Sequence, residues 1–422
     1  MRFTEKVFPS GLRLITVPMA DNPTVTVLVL TGTGSEFETK DINGISHFLE
    51  HLCFKGTINR PTSVAISVEL DGIGAEYNAF TGEEYTGYYA KAHARHYAKV
   101  LDVVSDIFLN PTFPEVEIEK ERGVVIGEID MYEDTPQRTV GDVLTELLYR
   151  DQTAGFTILG EKENIRSLKR DNFVAYRGKH YVAETTTIIV TGGIDEDVVT
   201  RDVEALFKDI ASDARPDERK TFEDQRKPEV SLREKKTNQT HLMFGWRSCH
   251  LGDGRAPSLE MLAGVLSAGM SSRLFQRIRE ELGLGYYVRA SNELFLTHGF
   301  LGIGLGVDND RVEEAVVAII NEVKRLKDEL VSPEELTKVK DCLSGTMYLG
   351  LEQSDDVALF YGMRAVLHQP ILTPQEWEER IRAVTAEDIK RVAEDIFVSE
   401  KTNLALIGPH QDKDKLALRL LF

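Results

Sequence analysis

The second half of this 422-residue chain repeats the first, and that duplication limits the fold more than any single motif does. The alternating strand at residues 25–30 has a counterpart at 241–245, and a helix follows each, one containing residues 45–52 and one starting near Ser258. Residues 85–90 correspond to 299–304, and each of these strands leads into a long amphipathic helix, 96–109 in the first half and 312–326 in the second. A helix after Pro114 then parallels one after Pro333, and the strand at 186–192 parallels 403–408. Between the copies lies a polar, proline-containing stretch, 212–228, with the character of a linker. The expected organisation is therefore a first domain over 1–211, the linker 212–228 and a related second domain over 229–422. Strands that alternate apolar and polar residues imply a mostly antiparallel sheet with helices on one face, so each copy reads as an α+β domain.

Composition fits this picture and removes other classes. The chain is 42% hydrophobic and 28% charged, as in a soluble globular protein. Its net charge of −19 argues against nucleic acid, whose phosphates it would repel. No apolar run approaches the length needed to cross a bilayer, so no membrane role is expected. Residues 1–6 lack the apolar stretch of a signal peptide, which predicts a cytoplasmic protein. Cys53, Cys249 and Cys342 are too few and too scattered for a disulfide framework, so reduced thiols are expected.

The chemistry concentrates in His47-Phe48-Leu49-Glu50-His51. Positions i and i+4 of an α-helix project from one face, so both imidazoles can reach one metal ion. Glu50 lies beside that ion, placed to deprotonate a metal-bound water. The pattern is the inverted form of the commoner H-E-x-x-H, and zinc peptidases use both orders. Asn43-Gly44-Ile45-Ser46 supplies a turn and polar residues before the helix. Ile45, Phe48, Leu49 and Leu52 give it an apolar face, and Gly56 follows as a stop.

Two histidines need a third protein ligand and an open position for water. The carboxylate-rich helix spanning 117–131 offers Glu121 and Glu128, two turns apart on one face, and spacing does not choose between them. Glu119 and Asp130 read as solvated surface. The second copy has no equivalent site. A shift of 218 residues puts Val339 and Thr346 where Glu121 and Glu128 stand, and alignment on the prolines gives Lys340 and Met347.

Taken together, the chain resembles the pitrilysin/insulinase family of zinc metallopeptidases, and within it the half-length members similar to mitochondrial processing peptidase and its bacterial relatives. Beyond the histidine motif, the resemblance rests on Gly74-Ala75-Glu76-Tyr77-Asn78-Ala79-Phe80-Thr81, on Ser271-Ser272-Arg273-Leu274-Phe275 with Arg279 to Tyr286, and on the run ending at Pro136. In that family the third ligand is a glutamate 77 residues beyond the second histidine, which here is Glu128, and a supporting glutamate seven residues earlier is Glu121. The resemblance implies two similar α/β-roll domains and one Zn2+ per chain, held by His47, His51 and Glu128, with Glu50 as general base. It further implies an edge strand through Asn78, Ala79 and Phe80 that pairs with substrate backbone, and a clamp in which Arg279 and Tyr286 contact substrate carbonyls. The implied activity is hydrolysis of short or unfolded peptides inside a chamber enclosed by a homodimer, the alternative being a heterodimer with a related subunit. His180, His241, His250 and His298 match no ligand pattern, and His93 and His96, three apart at the start of a helix, have no accompanying carboxylate.

Overall fold

The computed structural model describes residues 1–215 and 219–422, so part of the expected linker at 212–228 lies outside the described residues. Among the described residues, eleven strands form two sheets. The first contains β1 (Thr4–Val7), β2 (Arg13–Pro18), β3 (Thr24–Thr31), β4 (Glu76–Thr81), β5 (Thr86–His93) and β6 (Thr186–Gly192), in the order β1-β2-β6-β3-β5-β4. The second contains β7 (Glu229–Glu234), β8 (Gln239–Arg247), β9 (Gly285–Leu294), β10 (Gly299–Asp308) and β11 (Asn403–Gly408), in the order β7-β11-β8-β10-β9. The run β2-β6-β3-β5-β4 thus recurs as β7-β11-β8-β10-β9. In each sheet one pair is parallel, β2 with β6 and β7 with β11, while the other pairs are antiparallel. The α+β class and the internal duplication are both present. β2 with β7 and β4 with β9 join the pairs legible in the sequence.

The chain divides into two compact units whose composition crosses the midpoint of the sequence. One comprises Met1–Asp130, Phe156–Arg219 and Tyr348–Pro374; the other comprises Met131–Gly155, Lys220–Met347 and Gln375–Phe422. The repeated strands follow one another in the chain, β1–β6 and then β7–β11, but each packing unit includes a helix from the other half of the sequence. In the first unit that helix is Ser354–Val366, which lies on β3, β6 and β2. In the second it is Pro136–Tyr149, which lies on β11, β8 and β7.

This trade explains a departure from the expected one-sided sheet. Val25, Val27 and Val29 of β3 join the main core of the first unit, with Phe48, Leu49, Val104 and Phe108. The residues between them face the traded helix. Thr26 Oγ1 lies 2.8 Å from Ser354 Oγ, and Thr191 Oγ1 donates to the Ser354 carbonyl oxygen at 2.5 Å. A Cβ at Gly362 would stand 2.8 Å from Leu30 Cδ1 and 3.0 Å from Ile189 Cδ1, so only glycine lets this helix approach so closely. β3 and β6 are consequently buried on both faces. In the second unit, Val140, Val143, Leu144 and Leu148 of the traded helix pack with Ala405 and Ile407.

Local features refine several expectations. The carboxylate-rich helix spans Glu115–Glu133, and Pro136 opens the next helix rather than closing this one. His93 ends β5 and so is not helical, while His96 falls in a 3-10 turn, where it accepts a bond from Arg95 Nε. His180 and His298 are buried, and all three cysteines are free thiols. Among the described residues, no helix is long and apolar enough to cross a membrane.

Candidate metal centre

The histidine helix is short, Ile45–Cys53, and depends on packing and capping for its place. Ile45, Phe48, Leu49, Leu52 and Cys53 are fully buried beneath it, with Phe48 set edge-on to Phe173. At its start Gly44 adopts φ +98, and a Cβ there would meet the Leu159 carbonyl oxygen at 2.6 Å, so the turn requires glycine. The free N–H groups of this end are taken by a buried carboxylate. Glu38 Oε2 accepts from Gly44 N and Asn43 Nδ2, and its Oε1 accepts from Ser46 N, each at 2.8 Å. Burial pushes the Glu38 carboxyl up to about 7 against these donors.

The helix turns His47 and His51 toward each other, with ring centroids 4.6 Å apart. Glu128, from the carboxylate-rich helix, brings Oε2 to 3.6 Å from Nε2 of both rings. The edge of a zinc tetrahedron with bonds near 2.05 Å is about 3.3 Å, so this spacing suits one shared zinc ion. Among the described residues, these three form the one group of His, Cys, Asp and Glu with metal-ligand geometry, all donor atoms lying within 4.8 Å of one another.

Electrostatics agree with that fit. Burial, aided by the neighbouring His51, lowers the His47 imidazole to about 3, which leaves it neutral with a lone pair to give. Its Nδ1 is buried and has no hydrogen-bond partner among the described residues. Burial also opposes protonation of His51, but the hydrogen bond to Glu121 and the charges of Glu50, Glu121 and Glu128 outweigh it and raise the pKa. His51 Nδ1 lies 2.9 Å from Glu121 Oε1. A carboxylate only accepts, so Nδ1 carries a proton, and it is Nε2, on the side of Glu128 Oε2, that gives up its proton to offer a metal its lone pair. The two glutamates that spacing left equivalent are thus separated: Glu128 meets both rings, and Glu121 supports one of them from behind.

Two further side chains complete the surroundings, neither of them among the candidate site residues of the sequence. Lys55, one turn beyond His51, places Nζ 2.6 Å from Glu121 Oε2. Burial raises the Glu121 carboxyl, but bonds from His51 and Lys55 more than compensate and hold it below the usual range. Thr81 Oγ1 donates to Glu50 Oε2 at 2.5 Å. Burial first, and then the charge of Glu128, raise the Glu50 carboxyl, while the Thr81 bond and His51 pull it down. Glu38, capping the helix, is the third such residue. The helical spacing of Lys55 from His51 was readable, whereas Thr81 and Glu38 carry no local signal. Glu119 and Asp130 are exposed and paired with Arg122 and Lys162, as expected for a solvated face.

Asn78, Ala79 and Phe80 lie on β4, which ends the first sheet and pairs only with β5 among the described residues. Asn78 is exposed, and its Oδ1 accepts from Ala79 N at 2.9 Å. In the second unit a single π-helical turn, Phe275–Glu281, leads into β9. Arg279 there rests over the Phe275 ring and donates from Nη1 to the Tyr286 carbonyl oxygen at 3.1 Å. Tyr286 itself is 79% exposed.

Among the described residues, one copy alone of this duplicated α+β fold assembles a His-His-Glu donor set, and comparison with known proteins identifies the class as a metallopeptidase with an inactive second domain. Residues 13–162 match the insulinase family, peptidase family M16, and residues 167–343 match the M16 inactive domain. A zinc protease of Bacillus subtilis, YmxG, is 35% identical over 405 residues, covering 95% of this chain and 97% of its own. A zinc protease of Rickettsia bellii is 32% identical over 410 residues, covering 97% and 98%. The fold of a protease from Helicobacter pylori superposes with a TM-score of 0.89 at 20% identity, covering 97% of this chain and 99% of that one. A peptidase M16 inactive domain from Pseudomonas fluorescens gives 0.90 at 16% identity, covering 98% and 100%. The chain belongs to the insulinase family, peptidase family M16, a zinc-protease class into which the donor set of His47, His51 and Glu128 fits.

Proposed function

We propose that the chain is a zinc endopeptidase that hydrolyses short or unfolded peptides as a homodimer enclosing a chamber. The observation that carries the chemistry is the Glu50 carboxylate, fixed beside the donor set of His47, His51 and Glu128 and tied to edge strand β4. When bound, zinc supplies Lewis acidity, lowering the pKa of a coordinated water toward neutrality and polarising a peptide carbonyl. Glu50 takes a proton from water on its carboxylate and passes it to the departing amine nitrogen. Glu121 keeps His51 oriented and basic through Nδ1. An extended peptide adds to β4 beside Asn78, Ala79 and Phe80; backbone pairing of that kind accepts many sequences. Arg279 and Tyr286 of a second copy donate to substrate carbonyl oxygens, and the exposure of Tyr286 is consistent with that role.

The test is mass-spectrometric mapping of cuts in a peptide library, with a stably folded protein as control. Zinc-dependent cleavage at internal bonds of peptides up to a few tens of residues, with the folded control spared, is the expected result. Cleavage of the folded control at a rate similar to peptides would refute the enclosed chamber. Release of terminal residues alone would refute endopeptidase action.

A further inference from the structure

We infer that Thr81 is the positioning residue for the Glu50 carboxylate, and that it ties the proton-moving group to the strand along which peptide is laid. The inference rests on Glu50 being the base, as proposed above. Among the described residues, the Thr81 hydroxyl is the one hydrogen-bond donor to Glu50, at 2.5 Å. An O–H bond to a carboxylate at this distance belongs to the strong, charge-assisted class. It occupies Oε2 and so leaves Oε1 to receive a proton.

The donor is unusually well fixed. Thr81 is the last residue of β4 and stands in register with Thr86 of β5. The chain then turns tightly, Gly82 N donating to the Tyr85 carbonyl oxygen at 2.8 Å. A β-branched side chain on a strand has few χ1 choices, so fixing the backbone also aims the hydroxyl. Glu50 is the opposite case: its side chain has several free torsions and lies close enough to Glu128 to feel that charge. Without a tether, repulsion and entropy would both draw the carboxylate away from its working position.

The arrangement also carries information. Asn78, Ala79 and Phe80, the edge proposed to pair with peptide backbone, directly precede Thr81 on β4. A peptide strand in register with β4 is therefore in register with Thr81, and through it with Glu50. The scissile bond and the base are then set by one element, independently of the peptide's side chains.

The experiment compares Thr81→Val, which keeps shape and loses the hydroxyl, with Thr81→Ser, which keeps the hydroxyl, and with Glu50→Gln. For zinc-loaded enzyme, Thr81→Val should lower kcat by about 10–100-fold with KM and zinc affinity unchanged, and Thr81→Ser should recover most of the loss. A second readout uses metal-free protein: thermal midpoints of Thr81→Val, Glu50→Ala and the double variant should be non-additive, as for two residues in direct contact. A wild-type kcat in Thr81→Val, equal losses in the Val and Ser variants, or additive midpoints would each overturn the inference. If Glu50→Gln is slow while Thr81→Val is normal, the positioning role alone fails. If Glu50→Gln is as fast as wild type, the reading of Glu50 as base fails and takes this inference with it.

Discussion

Replacing Glu121 tests how the site is built, because its two oxygens do different work. Oε1 accepts from His51 Nδ1 at 2.9 Å, and Oε2 accepts from Lys55 Nζ at 2.6 Å. Glutamine has one acceptor and one donor at those places, so Glu121→Gln must lose one bond. Turning the amide NH2 toward Lys55 is the cheaper choice. The Lys55 side chain is 25% exposed and can reach water, whereas a donor facing His51 Nδ1 would strand two donors against each other. His51 then keeps an acceptor but loses the negative charge that makes it a better ligand. Removing such a partner typically costs 10–100-fold in metal affinity. We expect Glu121→Gln at the low end, about tenfold or 1.4 kcal/mol, and Glu121→Ala, which leaves Nδ1 with no acceptor, near 100-fold or about 2.7 kcal/mol. Lys55→Met leaves the His51 bond intact and should cost less than either. Competition for zinc against a chromophoric chelator measures all three. Wild-type affinity in Glu121→Ala, or a larger loss in Lys55→Met than in Glu121→Gln, would show that Glu121 does not support zinc binding through His51.

Three other outcomes are expected. If each site draws Tyr286 from a second copy, differently tagged Glu50→Gln and Tyr286→Phe chains should regain about half of wild-type activity as purified heterodimers, since one of the two sites is then intact; verified heterodimers without activity would exclude sharing. Glu38→Ala strips the acceptor from Gly44 N, Ser46 N and Asn43 Nδ2 and should lower stability by at least about 2 kcal/mol in urea unfolding, at about 1–3 kcal/mol per stranded buried donor; a change within error would show that water replaces the cap. Asp142 is pushed up to about 6 by burial, with Arg233 opposing. An acid raised on folding holds its proton longer in the native state, so its contribution to stability declines as pH rises from about 4 to 6. Asp142→Asn should therefore be more stable than wild type at pH 7 and gain little at pH 4, and a gain of equal size at both would exclude the ionisation as its cause.

How much of this was legible in the sequence depends on how local each cause is. The histidine pair follows from the pitch of one helix, so His47, Glu50 and His51 were readable from spacing. The choice between Glu121 and Glu128 was not, because both share a face of the same helix; it turns on which carboxylate meets Nε2 and which meets Nδ1, a matter of how two helices dock. Thr81 and Glu38 act across turns and strands, with no periodic signature. The duplication was visible because each copy retains its alternation of strands and amphipathic helices. The helix trade was not, since the apolar stripe of residues 136–149 or 354–366 shows that a helix must be covered without saying by which sheet. The same blindness produced the expectation of a one-sided sheet, because alternating Thr26 reads as solvent-facing until Ser354 is placed against it.

The most direct test of the central claim is the turnover of an internally quenched peptide by zinc-loaded Glu50→Gln, with metal content determined on the same sample. The expected metal content is one zinc per chain, held by His47, His51 and Glu128. The rate should fall about 10²–10⁴-fold below wild type, since only the proton carrier has been removed. A near-wild-type rate with zinc in place would exclude Glu50 as the base, and a wild-type protein that hydrolyses peptide after complete removal of zinc would exclude zinc catalysis altogether.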